Sequence, residues 1–424
     1  MTIDKPLTVL AEPGAEIRGS DIWTDWGPAD GLWRSRETVP EFSARGRCQE
    51  GTERCRWPEQ VFVDGDPLLQ VATGSTPAAG EFALDAERRV VLVDDPTGRE
   101  VEVTTRRFWF VPEADGITIE GFRMRHAANH PQQGAITDGG YSVWVRHSVM
   151  SDAHGAVISM IGRGGIVDNE IFNGGQLGIH HGGSLVQGNR VHGNNTEDFS
   201  TAWEAGGLKS VHGDMVIDGN EFFDNGGPGI WIDIRADNVT ISNNRVHNNE
   251  SIGIYYEISS GGRIFGNVVW MNSAARTSSW VTGAGILVHS SGSTEVYDNV
   301  VAWNGDGIGF QSQNRDDRPD DAFLNNTIRD NVIIQVGGRD RWGLAWAEDW
   351  DGPLFDPESN NRGGNNRYWF PTPEGEELRF GWQGGIALLE EFNATPGEDG
   401  GRYLTDAEKD ELLTQLGVPL DPPD

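Results

Sequence analysis

The chain has 424 residues and a formal net charge of −32 at pH 7, with 33 basic against 65 acidic side chains. This excess of negative charge excludes nucleic acid and anionic membranes as general partners, because both are bound by basic surfaces. The sequence also lacks an apolar run long enough for a transmembrane helix, so we expect no membrane insertion. Its length exceeds that of a usual single core, which predicts two domains or one elongated architecture.

The N-terminal region reads as β-structure. Residues 1–27 have strand-like sequence and are expected to supply the first strands of the main architecture. Residues 28–110 break the rhythm that follows, with short apolar runs and Asp-Gly turns as in "EQVFVDGDPLLQVA". We therefore expect a small inserted β subdomain in this region.

Two cysteines, Cys48 and Cys55, lie close together in the loop-like segment "CQEGTERC". A disulfide between them would fit an oxidising compartment, and a reduced pair is the alternative. No signal peptide opens the chain, as if an upstream export signal or a first coil had been trimmed. The acidic composition suits solubility in a salty or extracellular setting. Together these features favour an extracellular or cell-surface protein.

A degenerate repeat runs through the middle of the chain. Copies such as "IVDNEI", "IDGNEF", "ISNNRV" and "VYDNVV" place an Asn between apolar residues at steps of 20 to 32 residues. The anchoring residues are Asn169, Asn189, Asn220, Asn244, Asn267, Asn299 and Asn326. Variable steps in the twenties indicate a solenoid, and the period-two alternation rich in Val and Ile indicates stacked strands rather than leucine-rich or helical repeats. The Asn column is interpreted as a structural ladder of hydrogen bonds.

This pattern resembles the right-handed parallel β-helix proteins of the pectate-lyase-like class. The resemblance implies an all-β solenoid core over residues 111–340. It implies little about function, because that scaffold carries lyases, hydrolases, epimerases and adhesins.

A second strand of each coil starts at a glycine, and its residues alternate between the core and the outer face. The residue after the glycine is Ile, Leu or Ala in every copy and faces the core, so the second and fourth residues face outward. In the last six copies the outward positions hold candidate site residues. These are His180, Lys209, Trp231 and Tyr255 at the second position, and Asp233, Glu257, His289 and Gln311 at the fourth.

The two carboxylates of this column, Asp233 and Glu257, occupy equivalent positions on consecutive coils. Neighbouring parallel strands are about 4.8 Å apart. Their carboxyl groups can thus approach the separation of about 5–5.5 Å found in retaining glycosidases, or splay to the roughly 6.5–9.5 Å of inverting enzymes. Two like charges this close raise one pKa, which yields one ionised nucleophile and one protonated acid. For either acid taken singly, a solvated outer face is the alternative.

Aromatic and polar side chains are expected around the pair. Trp231 and Tyr255 offer apolar faces to a sugar ring, or pack beneath a loop of a neighbouring coil. Glu204, in "TAWEAGGLK", is expected at the mouth of an enlarged coil. The pair His180 and His181 is interpreted as making polar or substrate contacts rather than holding a metal, since no third ligand stands at a recognisable spacing. We expect no cofactor; in a lyase, either Asp233 or Ca²⁺ would neutralise the carboxylate of a uronate.

A narrower resemblance covers two coils. "GIWID" followed one coil later by "YYEIS" is similar to the pattern of the β-helix β-xylosidases, a retaining glycoside hydrolase group. The resemblance implies that Asp233 is the nucleophile and Glu257 the acid/base. "WEAGGLK" and the inserted N-terminal segment do not match that group, so no sugar preference is implied.

Residues 341–424 are expected to cap the solenoid and protect its open edges. Within them, "LTDAEKDELLTQLG" predicts a short helix that begins after Thr405, because Thr405 is followed by two acidic residues of a first turn. The Trp-rich segment "RDRWGLAWAEDW" is interpreted as packing against the coils, with a position at the border of the groove as the alternative.

Three functional hypotheses follow. The first is a glycoside hydrolase that acts on an oligo- or polysaccharide of neutral or weakly charged sugars. The second is a polysaccharide lyase or epimerase with Lys209 as its base, disfavoured by the acidic chain and the single Lys on this face. The third is a carbohydrate-binding solenoid without catalysis.

Overall fold

A computed structural model describes residues 1–273, 283–337, 341–373 and 375–422. The chain divides into two compact units. The first consists of residues 1–180 and 194–205, and the second of residues 181–193 and 206–424. Within the described ranges, no helix is long and apolar enough to cross a membrane.

The first unit contains a small β subdomain built from two sheets. One sheet has the order Trp26–Ala29, Leu32–Ser35, Val90–Leu92, Glu81–Leu84 and Leu69–Gln70, and the other Ser20–Ile22, Val101–Thr104, Val61–Val63 and Asp66–Pro67. Their apolar side chains, among them Phe82, Val90 and Val101, form one buried cluster. The loop after Leu32–Ser35 carries the short 3₁₀ helix Arg54–Arg56, and Cys48 and Cys55 form a disulfide there.

The remaining strands of the first unit are parallel and stacked in register. They form the sets Thr8–Leu10, Ile117–Glu120, Val143–Arg146 and Gly164–Val167; Glu16–Arg18, Arg123–Ala127, Val149–Ala153 and Glu170–Phe172; and Gly134–Thr137 with Ala156–Met160. Thr2–Ile3 pairs with Val111–Pro112, and the strand Leu177–His181 ends at the division between the units. The first residues of the chain thus pair with strands that lie more than 100 residues later.

The second unit consists of three parallel sheets, which we call sheets A, B and C. Sheet A comprises Leu185–Gln187, Val216–Asp218, Thr240–Ser242, Arg263–Phe265, Glu295–Tyr297, Thr327–Arg329 and Arg362–Gly364. Sheet B comprises Arg190–His192, Glu221–Phe223, Arg245–His247, Val268–Trp270, Val300–Ala302, Val332–Ile334, Arg367–Trp369 and Arg402–Tyr403. Sheet C comprises Gly206–Ser210, Ile230–Ile232, Ile254–Glu257, Ala284–His289, Asp306–Ser312, Leu344–Glu348 and Phe380–Gly381, to which Gly385–Ile386 pairs antiparallel.

The alternation in the sequence sets the two faces of sheet C. Ile230 and Ile254 are fully buried and pair with each other across adjacent strands. The glycines before them are required by close packing: a Cβ on Gly229 would lie 2.6 Å from a methyl group of Val246. Any larger residue at Gly229 would therefore push sheets B and C apart.

A ladder of asparagines runs along the second unit. The side-chain Nδ2 of each Asn donates to the side-chain Oδ1 of the next Asn at 2.9–3.0 Å. Its members are Asn189, Asn220, Asn244, Asn267, Asn299, Asn331 and Asn366, and the carboxylate of Glu398 accepts from the last. The assignment of Asn326 to this ladder was wrong. Asn326 precedes a sheet A strand and bonds to Thr294 and Asn361, whereas every member of the ladder precedes a sheet B strand. Two similar motifs five residues apart caused the error.

Stacked strands continue beyond residue 340, as far as Arg402–Tyr403, so the sheets extend well into the predicted capping region. The 3₁₀ helix Pro357–Ser359 and the short helix Leu389–Phe392 lie between them. The helix Asp406–Leu416 then follows. Its N-cap residue is Thr405, which forms a reciprocal capping box with Glu408.

Candidate active site

The register of sheet C brings the two predicted carboxylates together. Trp231 pairs with Tyr255, and Ile232 pairs with Tyr256. Asp233 and Glu257 are the next residues of these adjacent strands, and Glu257 in turn pairs with His289. The backbones that carry the two acids are therefore one strand spacing apart, about 4.8 Å.

These outward side chains are buried. Asp233, Glu257 and His289 are each 5% exposed, Lys209 is 4% exposed and Trp231 is 6% exposed. Charged groups are rarely this buried unless they are paired or functional. The column is therefore a covered polar cluster and differs from the solvated face that would be expected for isolated surface acids.

Asp233 is held on one side only. Its Oδ2 accepts from the Lys209 ammonium at 2.9 Å. Its Oδ1 is buried and accepts no hydrogen bond from the described residues. Burial, followed by the negative charge of Glu257, raises the pKa of Asp233, and the Lys209 charge opposes this rise.

Glu257 is enclosed by donors. Its Oε2 accepts from the Trp231 indole at 3.0 Å, and its Oε1 lies 2.5 Å from the Arg315 guanidinium and 3.3 Å from Nδ1 of His289. Burial alone would raise the pKa of Glu257. The hydrogen bond and charge of His289 and the charge of Arg315 outweigh it and lower that pKa to about 2. In the free protein Glu257 is therefore ionised, and a proton added to the pair goes to Asp233.

The aromatic residues form a stack along the sheet. The Lys209 ammonium lies 3.6 Å from the centre of the Trp231 ring, and Tyr255 stacks on the indole at 5.4 Å. His289 follows Tyr255 at 6.0 Å, and the Tyr255 hydroxyl lies 2.8 Å from His289 Nδ1. Neighbours thus occupy both faces of the Trp231 and Tyr255 rings, so neither ring offers a face to a sugar, contrary to the first alternative from the sequence. The stack instead positions Lys209, Glu257 and His289.

The other predicted residues are placed as follows. Gln311 pairs with His289 on the next strand of sheet C and is half-buried. His180 and Glu204 belong to the first unit, where both are buried and His180 Nε2 lies 3.6 Å from a Glu204 carboxylate oxygen. Their part in substrate binding stays a prediction. Within the described ranges no group of three or more His, Cys, Asp or Glu side chains converges to hold a metal.

Arg315 is a site residue that the sequence reasoning missed. It lies in the loop that follows Asp306–Ser312, is 33% exposed at its side chain and also contacts Asp317 at 3.2 Å. Its segment, "QNRDDRPDD", belongs to no repeat, so no column position pointed to it. The available signal was the insertion itself, which places an arginine directly after a column strand.

The residues that follow Asp233, Glu257 and His289 have a strained backbone. Ile234 and Ile258, the residues after the two carboxylates, have φ of 49° and 48°, and Ser290 after His289 has φ of 49°. β-Branched residues rarely adopt this left-handed conformation, which costs about 1–3 kcal/mol. The turn at this edge of sheet C is thus held in the same conformation after each of the three site residues.

The described coils of stacked parallel strands agree with comparisons to known proteins. The model of a family described as "Right handed beta helix region" matches residues 133–301. The structure of XylC in complex with xylose superposes with a TM-score of 0.67 at 18% identity, covering 88% of this chain and 76% of XylC. The chain folds as a right-handed parallel β-helix.

Two further solved structures are less similar to this β-helix. A protein described as a glycoside hydrolase has a TM-score of 0.46 at 11% identity and covers 88% of both chains. A mutant of the periplasmic alginate epimerase AlgG has a TM-score of 0.45 at 16% identity and covers 70% of both chains. No curated protein matches the chain in sequence.

Proposed function

We propose that this protein is a carbohydrate-active enzyme, a retaining glycoside hydrolase that acts on a neutral or weakly charged glycan. The observation that carries the proposal is the pair Asp233 and Glu257, two buried carboxylates on adjacent strands whose pKa values are displaced in opposite directions. Opposite displacement is how glycosidases obtain one proton donor and one ionised carboxylate. The short strand spacing favours retention over inversion. XylC, whose structure contains xylose, has a related fold.

The nucleophile that we propose is Asp233. Its Oδ1 is buried and accepts no hydrogen bond from the described residues, so this oxygen is available to bond to an anomeric carbon. Its Oδ2 is held by Lys209, which stabilises the ionised form and fixes the side chain. Both oxygens of Glu257, by contrast, are already engaged by donors. The resemblance to the β-helix β-xylosidases implies the same assignment.

Glu257 is then the acid/base, and this role needs a change of its charge state. With a pKa of about 2 it carries no proton in the free protein. Arg315, a partly exposed cation beside it, lies on a loop rather than on sheet C. We propose that the incoming glycan displaces Arg315, which raises the pKa of Glu257 and draws the shared proton from Asp233 to Glu257. Asp233 then attacks, the glycosidic C–O bond breaks and Glu257 protonates the leaving oxygen; a water activated by Glu257 later releases the sugar.

The lyase alternative receives less support from this geometry. A lyase base must be uncharged when it abstracts a proton. The Lys209 nitrogen lies 2.9 Å from a carboxylate and 3.6 Å from the centre of an indole ring, and both contacts stabilise a cation. Lys209 is thus better suited to hold Asp233.

A glycan panel with two readouts tests the proposal. Release of reducing ends by the wild type, with no rise in ultraviolet absorbance, is the result expected for a hydrolase. Glu257→Gln and Asp233→Asn should each lower kcat by about 10²–10⁴-fold, while the exposed-residue control Glu250→Gln should not. Unsaturated products, or unchanged turnover in both site variants, would overturn the proposal.

Rescue with azide separates the two roles. In Asp233→Ala, azide replaces the missing nucleophile in a single displacement and should give a glycosyl azide of inverted configuration. In Glu257→Ala, azide replaces the water of the second displacement and should give the retained configuration. The opposite pair of products would show that Glu257 is the nucleophile.

A further inference from the structure

The second unit contains a cavity of about 490 Å³ outside the pair Asp233 and Glu257. Its aromatic walls are Trp342, Trp346, Trp350 and Phe355, and its polar lining includes Glu348 and Gln383. We call it the tryptophan cavity. A concave site with aromatic walls and a few polar groups is the usual form of a small-molecule or sugar site.

The tryptophan cavity continues the column that carries the carboxylates. Glu257 pairs with His289, His289 with Gln311, and Gln311 with Ala347, which lines the cavity. All four residues occupy the same outward position on successive strands of sheet C. Three strand spacings, about 14 Å in total, therefore separate Glu257 from the cavity wall.

Hydrogen bonds connect the tryptophan cavity to the same strands. The Trp350 indole donates to Ser312, the residue after Gln311, at 2.9 Å. Oε1 of Glu348 accepts from Ser312 at 3.3 Å and from the backbone of Leu354 at 3.2 Å. The second oxygen of Glu348 makes no hydrogen bond to the described residues and is available to a ligand hydroxyl. Trp350 and Glu348 are thus held by Ser312, which follows the column residue Gln311 on the same strand.

Gly384 borders open space in the lining of the tryptophan cavity. A Cβ on Gly384 would meet no atom within 4 Å, and Gly384 has φ of 155°. Gly381 and Gly385 also line the cavity. A ring can therefore enter beside Gly384, and the half-buried Trp342 and Trp350 of the same lining are suited to stack against it.

We propose that the tryptophan cavity binds a sugar residue of the same glycan that is cleaved at Asp233 and Glu257, a few residues along the chain from the cleaved bond. This inference rests on the proposed function. A sugar is inferred as the ligand because the outward column of sheet C runs from the carboxylates to the cavity without a break. Aromatic faces suit the apolar face of a pyranose, and Glu348 and Gln383 suit its hydroxyls. The enzyme would then prefer oligosaccharides long enough to reach from the carboxylates to the cavity.

Kinetics on substrates of graded length test the preference. Xylo-, cello- and manno-oligosaccharides and the matching aryl monosaccharides are the probes. For the wild type, KM should fall once the oligosaccharide spans the distance to the cavity. Trp350→Ala and the cavity-filling Ala347→Phe should each raise KM for long substrates about tenfold, with kcat/KM for the aryl glycoside unchanged. Trp144→Ala, in the first unit, serves as the control.

A binding measurement keeps this inference separate from the hydrolase proposal. Calorimetry with the double variant Asp233→Asn/Glu257→Gln measures oligosaccharide affinity without turnover. Adding Trp350→Ala should weaken that affinity about tenfold, whether or not the wild type hydrolyses the probe. Unchanged affinity in a folded Trp350→Ala protein, or a wild-type KM that does not vary with chain length, would overturn the inference. Absence of turnover on every probe would instead count against the hydrolase proposal alone.

Discussion

Replacing Arg315 by glutamine removes a positive charge 2.5 Å from Glu257 and leaves the rest of the stack in place. The pKa of Glu257 is about 2 against an ordinary 4.5, although burial acts in the opposite direction. Because one pKa unit corresponds to about 1.4 kcal/mol, the surroundings favour the ionised carboxylate by about 3 kcal/mol. His289 and Tyr255 share this effect with Arg315, so we expect Arg315→Gln to raise the pKa by about one.

The pH dependence of kcat/KM on an aryl glycoside reports this change. Glu257 must hold a proton to act as the acid, so kcat/KM falls as the pH rises through the pKa at which the pair loses its last proton. The charge of Arg315 also lowers the pKa of Asp233, which holds this proton in the free protein, so Arg315→Gln should move the alkaline limb of the profile to higher pH by less than about one unit. Arg315→Lys keeps the charge and should leave the limb near its wild-type position.

The control for this experiment is Arg329→Gln. Arg329 is also paired with an acid, Asp330 at 2.8 Å, but lies on sheet A. Its substitution should leave the profile unchanged. If the alkaline limb of Arg315→Gln coincides with that of the wild type, the guanidinium does not control the proton of Glu257, and the displacement step in the mechanism is wrong.

Three further predictions concern stability. Asn267→Ala removes one rung of the Asn ladder and strands its neighbours' polar groups, so the free energy of unfolding should fall by about 1–3 kcal/mol in a denaturant titration. Thr405→Ala removes a helix cap and should cost about 1 kcal/mol. In the wild type, the protection of the amides of residues 406–416, taken relative to the intrinsic exchange rate at each pH, should fall as the pH drops from about 4.5 toward 2. Glu408 of the capping box has a pKa lowered to about 2, and its contribution is lost on protonation. Cys55→Ser opens the disulfide loop and should lower the unfolding free energy by about 2 kcal/mol relative to the oxidised wild type, and reduction of the wild type should produce the same loss.

The sequence predicted that the two carboxylates lie side by side, because equivalent residues of successive coils pair across adjacent strands. Each glycine of sheet C fixes where a strand begins, so counting four residues from Gly229 and Gly253 placed Asp233 beside Glu257. Fold class follows from the same regularity, since period-two alternation at steps of one coil allows few architectures other than stacked parallel strands.

Two kinds of feature could not be predicted from the repeat: residues on inserted loops, and contacts that depend on side-chain conformation. Arg315 reaches Glu257 from an inserted loop, whose path no column position defines. One face of the Trp231 ring is occupied by the Lys209 ammonium. Four rotatable bonds separate that ammonium from the backbone, so the strand register alone does not predict its position. Asn326 was misassigned because two turns of one coil carry similar sequence, and local pattern alone does not say which turn a motif occupies.

Asp233 and Glu257 lie on consecutive coils, one strand spacing apart. The number of coils between them therefore affects whether the configuration at the anomeric carbon is retained or inverted. If evolution or design duplicated one coil between these two residues, their backbones would move to about 10 Å apart, two strand spacings. That gap lies at the upper end of the range in which a water fits between the carboxyl groups. Such an insertion would remove direct attack by Asp233 and leave room for a general base, so a change in repeat number within one fold could convert retention of configuration into inversion.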